Sequence, residues 1–331
     1  MNSKIKLIHG DGGKYTNELI KEIFYKNFDN ELLINSFDSS VFTLDKQRIA
    51  FTTDSYVIKP LFFPGGNIGK LAVDGTVNDL AVSGAKPLYL SCGFIIEEGF
   101  KVNKLNTIVK SMADESKKIG VKIVTGDTKV VEKGSIDGLF INTSGIGIIE
   151  NNYQTKKIEE GDKIIITGNI AEHGTALAVS RYDLKVKGDF KSDCDAIYDI
   201  IKSLSSYMDY IKLMKDPTRG GVATILNEIS EDFDLGIKIF EEKIPIRTHV
   251  KSVNDMLGLD PLYLANEGKI ILVVDKKASK EVLEKIKGKG CIEANIIGEV
   301  IKTPKLVYME TLLGGKRILD SLDSDLLPRI C

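Results

Sequence analysis

At 331 residues the chain has the length of about two domains, each able to bury its own core, so a short disulfide-stapled scaffold is excluded. With 28% charged and 43% hydrophobic residues, and 45 basic against 47 acidic side chains, the composition is that of an ordinary globular protein with a formal charge of −2. That balance offers no basic footprint for duplex nucleic acid or an anionic membrane, and neither is expected as a partner. Residues 1–13 are polar and glycine-rich, unlike a secretory signal, and no stretch reaches the roughly 18 apolar residues of a membrane span. The expected location is the cytoplasm. Cys92, Cys194, Cys291 and Cys331 form no C-x-x-C pair, and His9, His173 and His249 are as scattered, so a zinc site has no support.

The loop Gly10-Asp11-Gly12-Gly13 opens a predicted helix over 15–28, where Leu19, Ile20, Ile23 and Phe24 recur at helical spacing. Residues 49–53 read as a strand ending at Thr53-Asp54-Ser55, and Pro64-Gly65-Gly66 breaks the chain before a helix over about 67–83. A long strand is predicted over 87–96, then an amphipathic helix turning Leu105, Ile108, Val109 and Met112 inward. Strand 121–125, a loop at Gly126-Asp127-Thr128 and strand 139–149 follow. The polar, aperiodic stretch 150–162 marks the junction between a first domain over 1–155 and a second over 156–310. The second domain opens with strand 163–167 and a long helix through Ile197, Ile200, Ile201, Leu204 and Met208. The loop Asp216-Pro217-Thr218-Arg219-Gly220-Gly221 then feeds helix 222–233, and strand 269–274 follows. Alternation in both halves argues for two α/β units without fixing strand order. Residues 311–331 mix charge with scattered leucines. Such a tail could span roughly 65 Å if fully extended, far enough to enter a site elsewhere.

Asp54, Asp127 and Asp216 sit at predicted strand or helix ends beside small residues, where carboxylates can face a shared cleft; each alone could equally cap a turn. Asp79 shares a small-residue helix face with Ile68, Ala72, Gly75 and Val82, a face expected to be buried, and a buried carboxylate needs a partner. Converging carboxylates raise one another's pKa unless a hard divalent cation stabilises the ionised set, so magnesium is the expected metal. Backbone N–H groups of Gly10, Gly12 and Gly13, and of Gly65 and Gly66, are candidate phosphate cradles, although single glycine loops mostly mark turns. Neither is a Walker A loop: Gly69-Lys70 is followed by Leu71, and Pro64 stands where the leading glycine is required. Arg219 could hold a phosphate oxygen, whereas Lys129 and Glu267, beside glycine-containing loops, read in isolation as salt-bridge partners. The sequence closes on Pro328-Arg329-Ile330-Cys331, where Arg329 favours a thiolate and the adjacent carboxylate opposes it. A thiol on a flexible arm has the geometry of a group carrier.

These motifs resemble one family over essentially the whole chain: HypE, the hydrogenase maturation factors also called carbamoyl dehydratases, within the PurM-like superfamily related to AIR synthetase. In the first half the resemblance rests on His9-Gly10-Asp11-Gly12-Gly13, Thr53-Asp54-Ser55, the run from Pro60 to Gly66, Thr76-Val77-Asn78-Asp79-Leu80-Ala81 and Thr125-Gly126-Asp127-Thr128-Lys129. It continues through Asp216-Pro217-Thr218-Arg219-Gly220-Gly221 and Ala265-Asn266-Glu267-Gly268 to the final Pro-Arg-Ile-Cys, which superfamily relatives such as thiamine-monophosphate kinase lack. Asp11 stands where the family more often has serine. The resemblance implies a two-domain α/β (α+β) fold, with N-terminal sheets pairing in a homodimer, a C-terminal α/β sandwich and a flexible tail over 311–331. It also implies ATP bound by Gly10, Gly12, Gly13, Lys59, Gly65, Gly66, Asn67 and Arg219, and Mg²⁺ held by Asp54, Asp79, Asp127 and Asp216. The implied reaction is ATP-dependent dehydration of a carbamoyl group, placed on Cys331 by a HypF-type transferase, to a thiocyanate. Lys129 and Glu267 would lie near the amide nitrogen, with Glu267 as proton acceptor, and the cyanide would pass to iron on a HypC–HypD complex for [NiFe]-hydrogenase. Two other readings stay open at this point: phosphoryl transfer from ATP to a small acceptor, and a thiol carrier without catalysis.

Overall fold

The computed structural model describes residues 4–10, 13–28, 32, 38–150, 153–322 and 326–331. A 3-10 turn (Leu7–Gly10) precedes α1 (Lys14–Leu19), a π-helical stretch (Ile20–Tyr25) and α2 (Lys26–Phe28). The hairpin β1 (Ser40–Leu44) and β2 (Gln47–Tyr56) follows, then a tight one, β3 (Phe62–Phe63) and β4 (Gly66–Asn67). After them come α3 (Ile68–Val82), β5 (Ala85–Glu97), α4 (Val102–Ile119), β6 (Lys122–Val131) and β7 (Leu139–Ile149). The sheet runs β1-β2-β7-β5-β6 and is antiparallel except for the β5–β6 pair.

Asn67 starts α3, its side-chain oxygen accepting the N–H groups of Gly69 at 2.9 Å and Lys70 at 3.2 Å. Almost the whole circumference of α3 is buried, because the helix lies between the first sheet and the second domain, so the buried face expected of it extends all round. In α4, Ile108 and Met112 are buried, but Val109 faces solvent; it lies a third of a turn from Ile108. Residues 126–128 are not a loop. β6 runs straight through them, and Gly126 is needed because a Cβ there would stand 2.3 Å from the Cys92 carbonyl oxygen of β5. On its other face the sheet is open, presenting Phe51, Tyr89, Ile95 and Ile146 to solvent.

The second domain contains β8 (Lys163–Ile166), α5 (Glu172–Arg181), α6 (Tyr198–Ser203), β9 (Ile211–Lys215), α7 (Gly221–Phe233) and β10 (Gly236–Phe240). It continues with α8 (Thr248–Leu257), β11 (Ile271–Val274), α9 (Ser279–Lys287), β12 (Asn295–Ile301), β13 (Val307–Glu310) and β14 (Lys316–Ile318). Its sheet runs β14-β13-β10-β12-β8-β11-β9, with only β10–β13 parallel. Central strands such as Ile271–Val274 are apolar and buried on both faces. The long helix expected through 197–208 is instead the short α6 followed by a 3-10 turn (Ser205–Tyr207).

One hydrophobic core joins the domains, with Leu71 and Ile141 from the first, Val222 and Ile271 from the second, and Leu327 and Ile330 from the tail. Burying side chains of that size contributes roughly 1.5–3 kcal/mol each, so the tail is part of the packed structure. Among the described residues no helix is long and apolar enough to cross a membrane.

Candidate active site

Alternation along β2 turns Thr52, Asp54 and Tyr56 inward and Thr53 and Ser55 outward. The inward set meets the last turns of α3 and the loop after β9. The Thr52 hydroxyl lies 2.8 Å from Asp79 Oδ2 and 3.0 Å from the Asp38 carbonyl oxygen, and the Tyr56 hydroxyl lies 3.2 Å from Asp54 Oδ2. Asp216, almost fully buried at the end of β9, completes the group. Burial pushes Asp216 up to about 8, helped by the charges of Asp38 and Asp54. Asp79 is held well above the usual carboxylate range by burial and by Asp54, Asp216 and Asp38. Asp38 is raised by burial, against the opposing charge of Lys215, whose ammonium lies 3.7 Å away and 2.9 Å from Glu228. Four carboxylates therefore face one another, and Asp38, in Asp38-Ser39-Ser40, is a member that sequence reasoning missed.

The second domain supplies the opposite wall. Gly221, at φ +61°, begins α7 where a Cβ would stand 2.6 Å from the Leu264 carbonyl, and this close approach fixes the loop carrying Asp216 and Arg219. Asn266 ties that loop down: its Nδ2 donates to the carbonyls of Pro217 at 3.1 Å and Leu264 at 3.0 Å, and its Oδ1 accepts the Ala171 N–H at 2.7 Å. From α3, Asn78 donates to the Glu267 carbonyl at 3.2 Å and accepts the Ile197 N–H at 2.9 Å. Glu267 is thereby held 3% exposed, with its Oε1 lacking a hydrogen-bond partner among the described residues. Burial raises Glu267 far above an ordinary glutamate, aided by Asp193, Asp216 and Asp54, while Arg219 pulls it down.

The tail enters this site. Val57 N–H donates to the Cys331 carbonyl at 3.0 Å and Lys59 N–H to the Arg329 carbonyl at 3.3 Å, so the final residues lie beside the segment leaving β2. Ile330 is buried, and Arg329 donates to the Val57 carbonyl at 2.9 Å and pairs with Asp137. Arg219 reaches the surface, and the charge of Cys331, followed by those of Asp54, Asp79 and Glu267, keeps its guanidinium cationic. The site can thus gather oxygen donors for a hard cation, the positive charges of Arg219 and Lys215, a proton acceptor and a thiol.

Not every residue singled out from the sequence joins this group. The register sets Asp127 opposite Gly93 and Lys129 opposite Ile95, on the outer face of the sheet, where both are 68% exposed and paired at 2.7 Å. That ion pair lowers Asp127. Within one chain Asp127 is therefore apart from Asp54, Asp79 and Asp216, and Lys129 is apart from Glu267. Gly65 and Gly66 form a hairpin turn pressed on the second domain: the Pro64 carbonyl accepts from Ser192 N–H at 2.8 Å, and a Cβ on Gly65, at φ +96°, would stand 2.8 Å from Ser192 backbone. Asn67 uses its oxygen to cap α3 and its Nδ2 to reach Ser111 at 2.7 Å. Lys59 is exposed beside the tail, 3.4 Å from Asp137. Gly10, itself exposed, ends a 3-10 turn and Gly13 precedes α1, where Lys14 N–H donates to the Leu322 carbonyl; Gly12, with Asp11, lies outside the described residues.

Residues 36–149 match the family "AIR synthase related protein, N-terminal domain" and residues 159–309 the family "AIR synthase related protein, C-terminal domain". The chain is 44% identical over 335 residues to the carbamoyl dehydratase HypE of Bradyrhizobium diazoefficiens, covering 100% of this chain and 97% of that protein. Among solved structures, the HypE–HypF complex matches with a TM-score of 0.87 at 49% identity, over 92% of this chain and 99% of that one. HypE in complex with ATP matches with a TM-score of 0.83 at 40% identity, over 99% of this chain and 100% of that one.

Proposed function

The chain belongs to the HypE carbamoyl dehydratases, ATP-binding enzymes of cyanide-ligand synthesis for [NiFe]-hydrogenase, and we propose that its reaction runs on Cys331 in the docked tail described above. The observation that carries this reading is the docking of the final residues beside the acidic group: the Cys331 carbonyl accepts the Val57 N–H at 3.0 Å, and the Ile330 carbonyl lies 2.9 Å from His173 Nε2. A small phosphate acceptor would need that space free, and a passive carrier would not need the four carboxylates; both alternatives account for less of the site.

The donor set fits a hard divalent cation: Asp38, Asp54, Asp79 and Asp216 offer only oxygen, and Asp38, Asp79 and Asp216 are raised first by burial and then by neighbouring carboxylate charge, which a cation would relieve. Mg²⁺ held there would neutralise charge on the phosphates of ATP. Arg219 supports the phosphoryl group from the second domain, and the thiocarboxamide oxygen takes the terminal phosphoryl of ATP and departs as phosphate. The nitrogen loses two protons and the sulfur is left as a thiocyanate. Glu267 accepts a proton, its buried Oε1 having no hydrogen-bond partner among the described residues. Burial and Asp193 raise Glu267 most, and a cation on Asp54 and Asp216 would offset two further charges that raise it, favouring the unprotonated form that can accept a proton.

We assign Asp127 and Lys129 to the site of a second copy. They lie on the open face of the first sheet with Phe51, Tyr89, Ile95 and Ile146, an apolar patch that homodimer formation would cover. The working division is then 1–155, 156–310 and the tail 311–331, acting in the cytoplasm with a HypF-type carbamoyl donor and a HypC–HypD acceptor of cyanide. Intact-protein mass spectrometry tests the core of this reading. Carbamoylated chain incubated with MgATP is expected to lose the mass of one water, and an Asp79→Asn variant to keep its carbamoyl group; conversion by that variant at the normal rate would remove Asp79 from the machinery.

A further inference from the structure

The docked tail is gripped from α5, a helix outside the group of carboxylates. Arg181, in its last turn, donates through Nη1 to the Pro328 carbonyl at 2.6 Å, through Nη2 to the Arg329 carbonyl, and through Nε to the Lys59 carbonyl at 2.5 Å. His173, in its first turn and fully buried, has Nε2 2.9 Å from the Ile330 carbonyl and Nδ1 2.7 Å from Ser192 Oγ. The ring polarity follows from the neighbours. Ser192 Oγ already accepts the Cys194 N–H at 3.0 Å, so its hydroxyl hydrogen is available to His173 Nδ1 and the ring proton sits on Nε2, aimed at the tail. Burial holds His173 neutral, which suits this arrangement. Phe63 packs edge-on against the ring at 5.4 Å and keeps it in place.

We propose that Arg181 and His173 are positioning residues that set how long Cys331 remains docked, by holding the main-chain carbonyls of residues 328–330. Because those carbonyls lie upstream of the sulfur, the same grip serves the tail whatever group the sulfur carries, and one helix can receive the tail before and after loading. The proposal builds on the dehydratase reading only in its purpose, since a thiol loaded by another protein has to leave the site and return. Arg181 reaches three carbonyls with a planar fork; a lysine can reach one. His173 needs only a donor at the Nε2 position, which a glutamine can supply.

The rate at which iodoacetamide alkylates Cys331 in the intact protein measures release of the tail. Peptide mass spectrometry reads it, with Cys291 in the same sample as an internal reference. Losing charge-assisted hydrogen bonds to two tail carbonyls should raise the Cys331 rate about tenfold in Arg181→Ala, with Arg181→Lys between that variant and the parent. His173→Leu should behave like Arg181→Ala and His173→Gln like the parent. Arg181 is partly exposed at a helix end, so its variants remain informative even if the buried His173→Leu does not fold. Parental alkylation of Cys331 in both Arg181 variants, with unchanged melting, would overturn the proposal. The assay reads the unmodified Cys331 thiol and needs neither ATP nor carbamoylation, so failure of the dehydratase reading would leave this result standing.

Discussion

Asp54 and Asp127 point to opposite faces of the first sheet, with β7 and β5 between their strands. Three strand spacings separate them by about 14 Å, too far for one cation within a single chain. If each site takes Asp127 from a second copy, Asp54→Asn and Asp127→Asn should each be inactive alone yet complement when mixed. A random mixture is half heterodimer, and each heterodimer rebuilds one intact site of two, so about a quarter of the parental dehydration rate should return. No recovery after confirmed subunit exchange would dismiss the shared site.

The parts of the site that the sequence made legible are those tied to strong local signals. Asp216 stands between an apolar strand and Gly220-Gly221, and Asp79 lies on a helix whose capping residue and apolar content are plain. Asp127 misled because a glycine usually marks a turn, whereas Gly126 serves close contact with Cys92 and the strand goes on. β6 is exposed along nearly its whole length, so no buried alternation betrays which way Asp127 points. Asp38 lacks a neighbouring glycine, and its membership depends on Thr52, fourteen residues away. The docked tail was beyond reach for a similar reason: its receptor α5 carries Arg181 and His173, and only the packed domains bring them to residues 328–330.

Glu267→Gln should separate binding from proton transfer. Glutamine keeps the size of the side chain, and the Asn78 contact falls on the main chain, so the fold and carbamoylation of Cys331 should persist. Removing a general base typically lowers rate by about 10²–10⁴-fold. Single-turnover mass spectrometry of carbamoylated Glu267→Gln with MgATP should show at least the lower figure; dehydration at the parental rate would take the proton-accepting role away from Glu267.

Asn266 carries more structure than its size indicates. Its side chain joins the Asp216 loop to Ala171, a residue at φ +68° that precedes α5, and Asn266→Ala takes the side-chain partner from that buried N–H and from the Leu264 carbonyl, while the Pro217 carbonyl keeps the main-chain N–H of residue 266 at 3.0 Å. The expected destabilisation is about 2–4 kcal/mol by denaturant titration. The same change should loosen Asp216 and lower dehydration. A loss under about 0.5 kcal/mol would mean that other contacts suffice to hold the loop.

The raised carboxyls give stability a pH dependence of definite sign. Asp216 keeps its proton in the folded chain to about 8, whereas an unfolded aspartate loses it near about 4. Through that interval the native state binds more protons than the unfolded one, so this contribution is complete below the unfolded value and is lost as pH rises through the folded one. Asp38, Asp79 and Glu267 are shifted upward too and act in the same direction. Metal-free protein should therefore show a fall in melting temperature between about pH 5.5 and pH 8.5 that Asp216→Asn, with no proton to hold, shows less of. Mg²⁺ competes with protons for these oxygens, so it should stabilise the parent more at the higher pH than at the lower. Parallel pH curves for parent and variant, together with an equal effect of Mg²⁺ at both ends, would show that Asp216 neither holds a proton through this range nor takes part in binding the cation.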